Sequence, residues 1–325
     1  MSAAETTSRT FSELFDAVRA NVGEVVKGKD EVSHLVIVCL VAEGHCLVED
    51  APGVGKTTLA KALARSVEGT FGRIQFTPDL LPADVVGTSI WNRNSGSFEF
   101  RPGAIFHNVV LADEINRASP KTQSALLEAM AERQVTVDGT THDLDRPFLV
   151  IATQNPLDHE GTYPLPESQL DRFLMRISVG YPAPDAELEL LTSHGSSDDA
   201  AILASIGPVV STAEVQGMSR ALNGVHVEPG LRRYLIDLAT TSRQHPSLAL
   251  GASPRAILSL QRAAQAHAAA HGRTFVSPDD IKFLADPVLT HRLVVSPEAQ
   301  LQGLDASAVL RDILDRVPVR AGSVS

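Results

Sequence analysis

The chemistry of this chain concentrates first in Leu47-Val48-Glu49-Asp50-Ala51-Pro52-Gly53-Val54-Gly55-Lys56-Thr57-Thr58. An apolar strand leads into a Gly-containing turn and then a helix start, the context that a phosphate-binding loop requires. Gly53 and Gly55 let backbone N–H groups turn inward around phosphate oxygens, and Lys56 neutralises their charge. The Thr57 hydroxyl can ligate Mg²⁺ at a helix N-terminus. Pro52, Val54 and Thr58 complete the expected contacts. Asp50 stands where the strict motif has its first Gly, so the match is imperfect. The plain alternative is a Gly-rich turn beside a solvated lysine.

A phosphate loop needs an acidic partner on a neighbouring strand, and Val109-Val110-Leu111-Ala112-Asp113-Glu114 supplies one. Asp113 is the expected Mg²⁺-side carboxylate and Glu114 the base or orienter of attacking water. Alone, an acidic pair after an apolar strand is more often a solvated strand end. With the loop upstream it reads as the second half of a site that binds ATP or ADP with Mg²⁺ and hydrolyses ATP.

These groups need a scaffold, and the first part of the chain alternates strand-like and helix-like segments, the pattern of a parallel sheet flanked by helices. Strands are expected at residues 45–49, 73–76, 108–112, 148–152 and 175–179, and helices at 57–67 and 120–132. Ser119 is placed to cap the latter helix, with Pro120 at its first position. Pro182, Ala183 and Pro184 break the pattern. Beyond them the reading is helical, with starts at Ser253-Pro254 and Ser277-Pro278 and Gly272 closing a helix. The expected architecture is an α/β P-loop core over residues 1–184, with an N-terminal helix, followed by a smaller all-α lid over residues 185–325.

At 325 residues and 43% hydrophobic content the chain can bury two such cores. A net charge of −11 and the scatter of its Lys and Arg residues disfavour extended nucleic-acid binding. Cys39 and Cys46 lack metal or disulfide-framework spacing and read as reduced core residues. The longest apolar run, residues 35–42, is too short to cross a bilayer, so a soluble cytoplasmic protein is expected. The eleven histidines form no metal-spaced pair, and His159-Glu160-Gly161-Thr162 is not a His-Glu-x-x-His run.

The chain resembles the AAA+ ATPases of the MoxR type over almost its whole length. The resemblance is carried by Leu111-Ala112-Asp113-Glu114-Ile115-Asn116-Arg117-Ala118, Gln123-Ser124-Ala125-Leu126-Leu127-Glu128-Ala129-Met130, Ile151-Ala152-Thr153-Gln154-Asn155-Pro156 and Leu170-Asp171-Arg172-Phe173. The Asp50 variant of the phosphate loop is common among such proteins. The resemblance implies that Asn155 is the sensor-1 residue facing water or γ-phosphate. It implies that Arg172 is the finger reaching a neighbour's nucleotide and Arg255 the sensor-2 arginine of the lid. Rival readings are a turn residue for Asn155, an ion pair with Asp171 or a nearby carboxylate for Arg172, and a solvated first-turn side chain for Arg255. Arg117, Arg133 and Arg176 are rival fingers. Val25-Val26-Lys27-Gly28, with Val26 and Gly28 as the contacts, resembles the segment folded over the adenine base; a plain loop is the alternative.

Two hairpins are expected, at residues 91–100 and 134–141, through turn residues between alternating or aromatic strands. The resemblance makes them client-facing insertions; padding of a protomer interface is the alternative. Trp91, the only tryptophan, is expected in the core. The implied function is chaperone-like remodelling of protein clients by an oligomeric ring, commonly a hexamer, with partners carrying a von Willebrand factor A domain. The alternatives are a nucleic-acid motor of the helicase or translocase class and a nucleotide-gated adaptor with negligible turnover.

Overall fold

The structure, a computed structural model, describes residues 9–50, 54–155, 161–180 and 203–319. Two helices, α1 (Phe11–Val25) and α2 (Asp30–Val41), precede a five-stranded sheet of β1 (Cys46–Glu49), β2 (Phe71–Gln75), β5 (Val109–Asp113), β8 (Leu149–Gln154) and β9 (Met175–Ile177). The strands lie in the order β2-β5-β8-β1-β9, and every pairing is parallel. β5 and β8 read as nearly continuous apolar runs because both of their faces are covered. Alternate residues serve different cores: Val109 and Leu111 face α1, α2 and α3 (Lys56–Ser66), while Val110 and Ala112 face the side of α5 (Pro120–Glu132). Ser119 caps α5 by accepting from the Thr122 amide, with Pro120 in the first turn, as expected.

Both expected hairpins form. The first pairs β3 (Gly87–Asn92) with β4 (Ser97–Pro102), after the short α4 (Pro82–Val86); the second pairs β6 (Gln134–Val137) with β7 (Thr140–Asp143). Trp91 is not a core residue: it is 51% exposed and packs edge-on against Phe98, itself 70% exposed, with centroids 5.1 Å apart. The sheet is already filled by aliphatic side chains, and the hairpin projects beyond it. A short α6 (Glu167–Leu170) precedes β9.

The later residues are mainly helical: α7 (Thr212–Ala221), α8 (Pro229–Gln244), α9 (Pro254–Ala270), α10 (Pro278–Leu289), α11 (Pro297–Leu301) and α12 (Ala306–Arg316). A hydroxyl of Ser211, Ser253, Ser277 or Ser296 caps four of these N-termini. The departure from an all-α reading is a two-stranded antiparallel ribbon, β10 (Leu248–Leu250) with β11 (Val294–Val295). Pro182, Ala183, Pro184 and the expected domain boundary fall outside the described residues. α7 and α9 pack on α2, α9 also on α1, and α10 on β9, so one apolar core runs from α1 and α2 into the helical part. Cys39 and Cys46 are free thiols buried in it. Among the described residues no helix is long and apolar enough to cross a membrane.

His34, His45 and His291 are buried, and His267 is partly buried. Burial holds His34 and His291 down to about 3, and His45 and His267 to about 4. His34 Nε2 and His267 Nδ1 lie 2.8 Å apart, where α2 meets α9, and one proton serves that bond. These groups are neutral when folded and titrate near 6.5 when unfolded, so the unfolded chain binds more protons below that pH. Their contribution is complete above about pH 6.5 and is lost as pH falls towards 4. Between pH 7 and pH 5 the urea midpoint should drop, by about 2 kcal/mol of stability per independent histidine and less for the coupled pair. An unchanged midpoint would contradict this.

Candidate functional site

β8 lies between β5 and β1, so the carboxyl ends of three strands meet at one edge of the sheet. That edge is where open parallel sheets receive ligands. β1 delivers Glu49 and Asp50 and then the loop; β5 delivers Asp113 and Glu114; β8 delivers Gln154 and Asn155. Pro52 and Gly53 fall outside the described residues, while Val54, Gly55, Lys56, Thr57 and Thr58 lie within them. Gly55 has φ 87°, and a Cβ there would meet nothing, so the backbone angle and not space demands glycine. Lys56, Thr57 and Thr58 form the first turn of α3, whose N–H groups lack helical partners and can point at an anion.

Lys56 Nζ donates to the Asp50 carbonyl at 3.0 Å. Burial lowers its pKa, opposed by the charges of Asp50, Asp113 and Glu114. The charges of Asp50, Asp113 and Glu114 thus gather around Lys56, with Arg73 and Arg117 opposing those of Asp113 and Glu114. Mg²⁺ is held by one or two carboxylates, hydroxyls, water and the phosphates it accompanies, and Asp113 with Thr57 is such an oxygen set.

The carboxylates are held from the adjoining strands. Thr153, buried on β8, donates to Asp113 Oδ1 at 2.7 Å and accepts the Glu114 amide at 2.9 Å. From β2, Arg73 pairs with Asp113 Oδ2 at 2.7 Å, and Gln75 Nε2 donates to Glu114 Oε2 at 3.1 Å. Arg117 reaches the same Oε2 at 3.1 Å. Glu114 has φ 56°, a left-handed conformation uncommon outside glycine, which turns its side chain off the strand end.

Asp50 has a structural reason for replacing glycine. Its Oδ2 accepts from Ser178 Oγ at 3.0 Å, the Gly180 amide at 2.7 Å and the Val179 amide, tying the end of β1 to the exit of β9. Lys29 Nζ donates to the Val179 and Gly180 carbonyls at 2.7 and 3.1 Å. Gly28, with φ 68°, borders a cavity of about 470 Å³ shared with Lys29, Ile177, Val179 and Phe283. Val26 is buried at the end of α1 and does not line it.

Arg172 and Arg255 stand elsewhere. Both line a cavity of about 450 Å³ with Glu43, Gly44 and His45, at the start of β1 and so at the opposite end of that strand from the Lys56 loop. Arg172 precedes β9, whose start pairs with the start of β1, and Arg255 lies in the first turn of α9. Asp171 does not pair with Arg172: it binds Arg292, buried beneath it, at 2.9 Å. The rival arginines are engaged, Arg117 by Glu114, Arg133 by Glu43 and Arg176 by Glu49.

Comparison with known proteins agrees with the fold. Residues 45–175 match the model of the ATPase family associated with various cellular activities (AAA), and residues 240–313 that of the AAA lid domain. The chain is 48% identical to YeaC of Bacillus subtilis over 94% of its own length and 95% of that protein. It is 40% identical to the chaperone MoxR1 of Mycobacterium tuberculosis, over 91% of this chain and 80% of that one. The protein MoxR of Paracoccus denitrificans is 33% identical, over 87% and 89%. The chain belongs to the MoxR-type AAA+ ATPases. A crystal structure of a candidate ATPase from Cytophaga hutchinsonii superposes with a TM-score of 0.88 at 38% identity, over 96% of each chain.

Three residues of this MoxR-type ATPase escape sequence reasoning: Thr153, Arg73 and Gln75. Thr153 carries a faint signal, a hydroxyl in an otherwise apolar strand just before the polar end. Arg73 and Gln75 alternate with buried Gly72 and Ile74; only the pairing of β2 with β5 shows that they overhang the acidic pair.

Proposed function

We propose that this ATPase binds MgATP at the Lys56 edge of its sheet, completes that site with Arg172 and Arg255 of the next copy in a ring, and uses hydrolysis to remodel a protein client. The observation that carries the shared site is the segregation of charge. Arg172 and Arg255 line a cavity at the start of β1, the end of that strand opposite the Lys56 loop, so the two guanidiniums and the phosphate loop lie at different edges of the sheet.

Lys56 and the first-turn amides of α3 would hold the phosphates, with Thr57 and Asp113 as ligands of Mg²⁺. Bound there, Mg²⁺ neutralises charge on the β- and γ-oxygens. Glu114 would orient the attacking water and take its proton, with Asn155 as a second polar contact. Charge developing on the γ-phosphoryl oxygens would meet the guanidiniums of the neighbour, a contribution on the order of a thousandfold or more in rate. Gly28 would approach the base from the cavity beside Lys29, with Val26 supporting it from behind. Cytoplasmic hexamers and a partner with a von Willebrand factor A domain belong to the same reading.

Trp91 and Phe98, exposed on the first hairpin, support contact with protein. A nucleic-acid translocase is disfavoured by the net charge of −11. The test is the ATPase rate of the full chain with DNA, RNA and unfolded protein at physiological salt. Protein alone should stimulate; stimulation by DNA or RNA would instead favour the translocase.

A further inference from the structure

The arginine-lined cavity already contains an anion, the side chain of Glu43. This residue forms the turn between α2 and β1 at φ 56°. Its Oε1 accepts from Arg146 Nη1 at 2.8 Å, its Oε2 from Arg133 Nη1 at 3.3 Å, and its carbonyl from Arg133 Nη2 at 2.9 Å. The two arginines bracket the second hairpin. Arg133 ends α5 immediately before β6, at φ 54°, and Arg146 follows β7. The Leu144 amide donates to the Arg133 carbonyl at 2.9 Å, closing the hairpin base between them. Further along, His142 of β7 stacks on Phe100 of β4 at 3.8 Å and 14°, joining the second hairpin to the first. Arg262 faces the same centre, its pKa lowered by burial and raised by Glu43. Of the other carboxylates lining the cavity, Asp171 is committed to Arg292 and Glu132 is exposed.

We propose that Glu43 stands in for the phosphate this cavity receives, and that an incoming terminal phosphate draws Arg133 and Arg146 off Glu43 and so releases the base of the second hairpin. The proposal rests on the shared-site reading above. A phosphate brought to Arg172 and Arg255 repels the Glu43 carboxylate and offers the adjoining guanidiniums a more highly charged acceptor. The hairpin would then loosen in one subunit when its neighbour binds ATP, and the His142–Phe100 stack would pass the change to the Trp91 hairpin.

The test is hydrogen exchange of residues 134–143 in full-length protein, without nucleotide and with MgATP in a Glu114→Gln background that retains it. Without nucleotide, Glu43→Gln should speed exchange there about tenfold, leaving the β5 and β8 amides unchanged. Arg146→Gln, at a half-exposed position, should do the same should Glu43→Gln fold poorly. With MgATP the parent hairpin should accelerate towards that level, while Glu43→Gln shows no further response. Parent-like exchange in both variants without nucleotide, or a hairpin slowed by MgATP in the parent, overturns the latch and leaves the shared site standing. Arg172→Ala should keep slow exchange and lose the nucleotide response; a full response there overturns the shared site itself.

Discussion

Glu114→Gln is expected to bind MgATP about as well as the parent and to turn it over roughly a thousandfold more slowly. Gln75 and Arg117 contact the Glu114 carboxylate at its outer oxygen, and Thr153 fixes its amide, so the shorter-range geometry survives the substitution. What is lost is the negative oxygen that accepts a proton from water. Lys56→Ala should show the reverse pattern. Asp50, Asp113 and Glu114 all act on the Lys56 charge, and without it they confront the ligand's phosphates directly. Affinity should fall by at least about a hundredfold, the scale of an uncompensated charge at a partly buried site. Isothermal titration and steady-state hydrolysis separate the two. Parent-like turnover in Glu114→Gln would remove that residue from its role, and unimpaired binding by Lys56→Ala would move the phosphate site.

Much of the edge that carries these groups is legible in the sequence because local pattern determines it. The apolar runs ending in Asp113 and Gln154 could only be covered strands, and each begins and ends within two residues of its expected limits. β2 lies two residues earlier at its start than expected, since Arg73 and Gln75 conceal its alternation. Trp91 defeated composition, because a hairpin standing clear of the sheet obeys no core pattern.

The positions of Arg172 and Arg255 were less accessible still. Motif order assigns each a role but not an end of the sheet. For Arg172 that depends on the parallel pairing of β9 with β1, and for Arg255 on α9 packing against α2, contacts between segments remote in sequence. Glu43 was invisible for the same reason: its partners Arg133 and Arg146 come from the far side of α5 and of the second hairpin.

The second large effect concerns subunit complementation. Arg172→Ala, Arg255→Ala and Glu114→Gln should each lose nearly all activity alone, an arginine finger being worth about a thousandfold or more. In random mixed rings, about a quarter of interfaces pair an intact glutamate with an intact arginine cavity, so Glu114→Gln with either arginine variant should recover activity. Arg172→Ala with Arg255→Ala should not, because every cavity then lacks one guanidinium.

The decisive measurement is the ATPase rate of Arg255→Ala mixed with Glu114→Gln across the range of ratios. A rate peaking near equal parts, well above either protein alone, is the result expected when Arg255 serves the next copy's nucleotide together with Arg172. A mixture that exchanges subunits and stays inactive at every ratio, while Arg172→Ala with Arg255→Ala revives, would place Arg255 over its own chain's nucleotide and contradict the shared cavity.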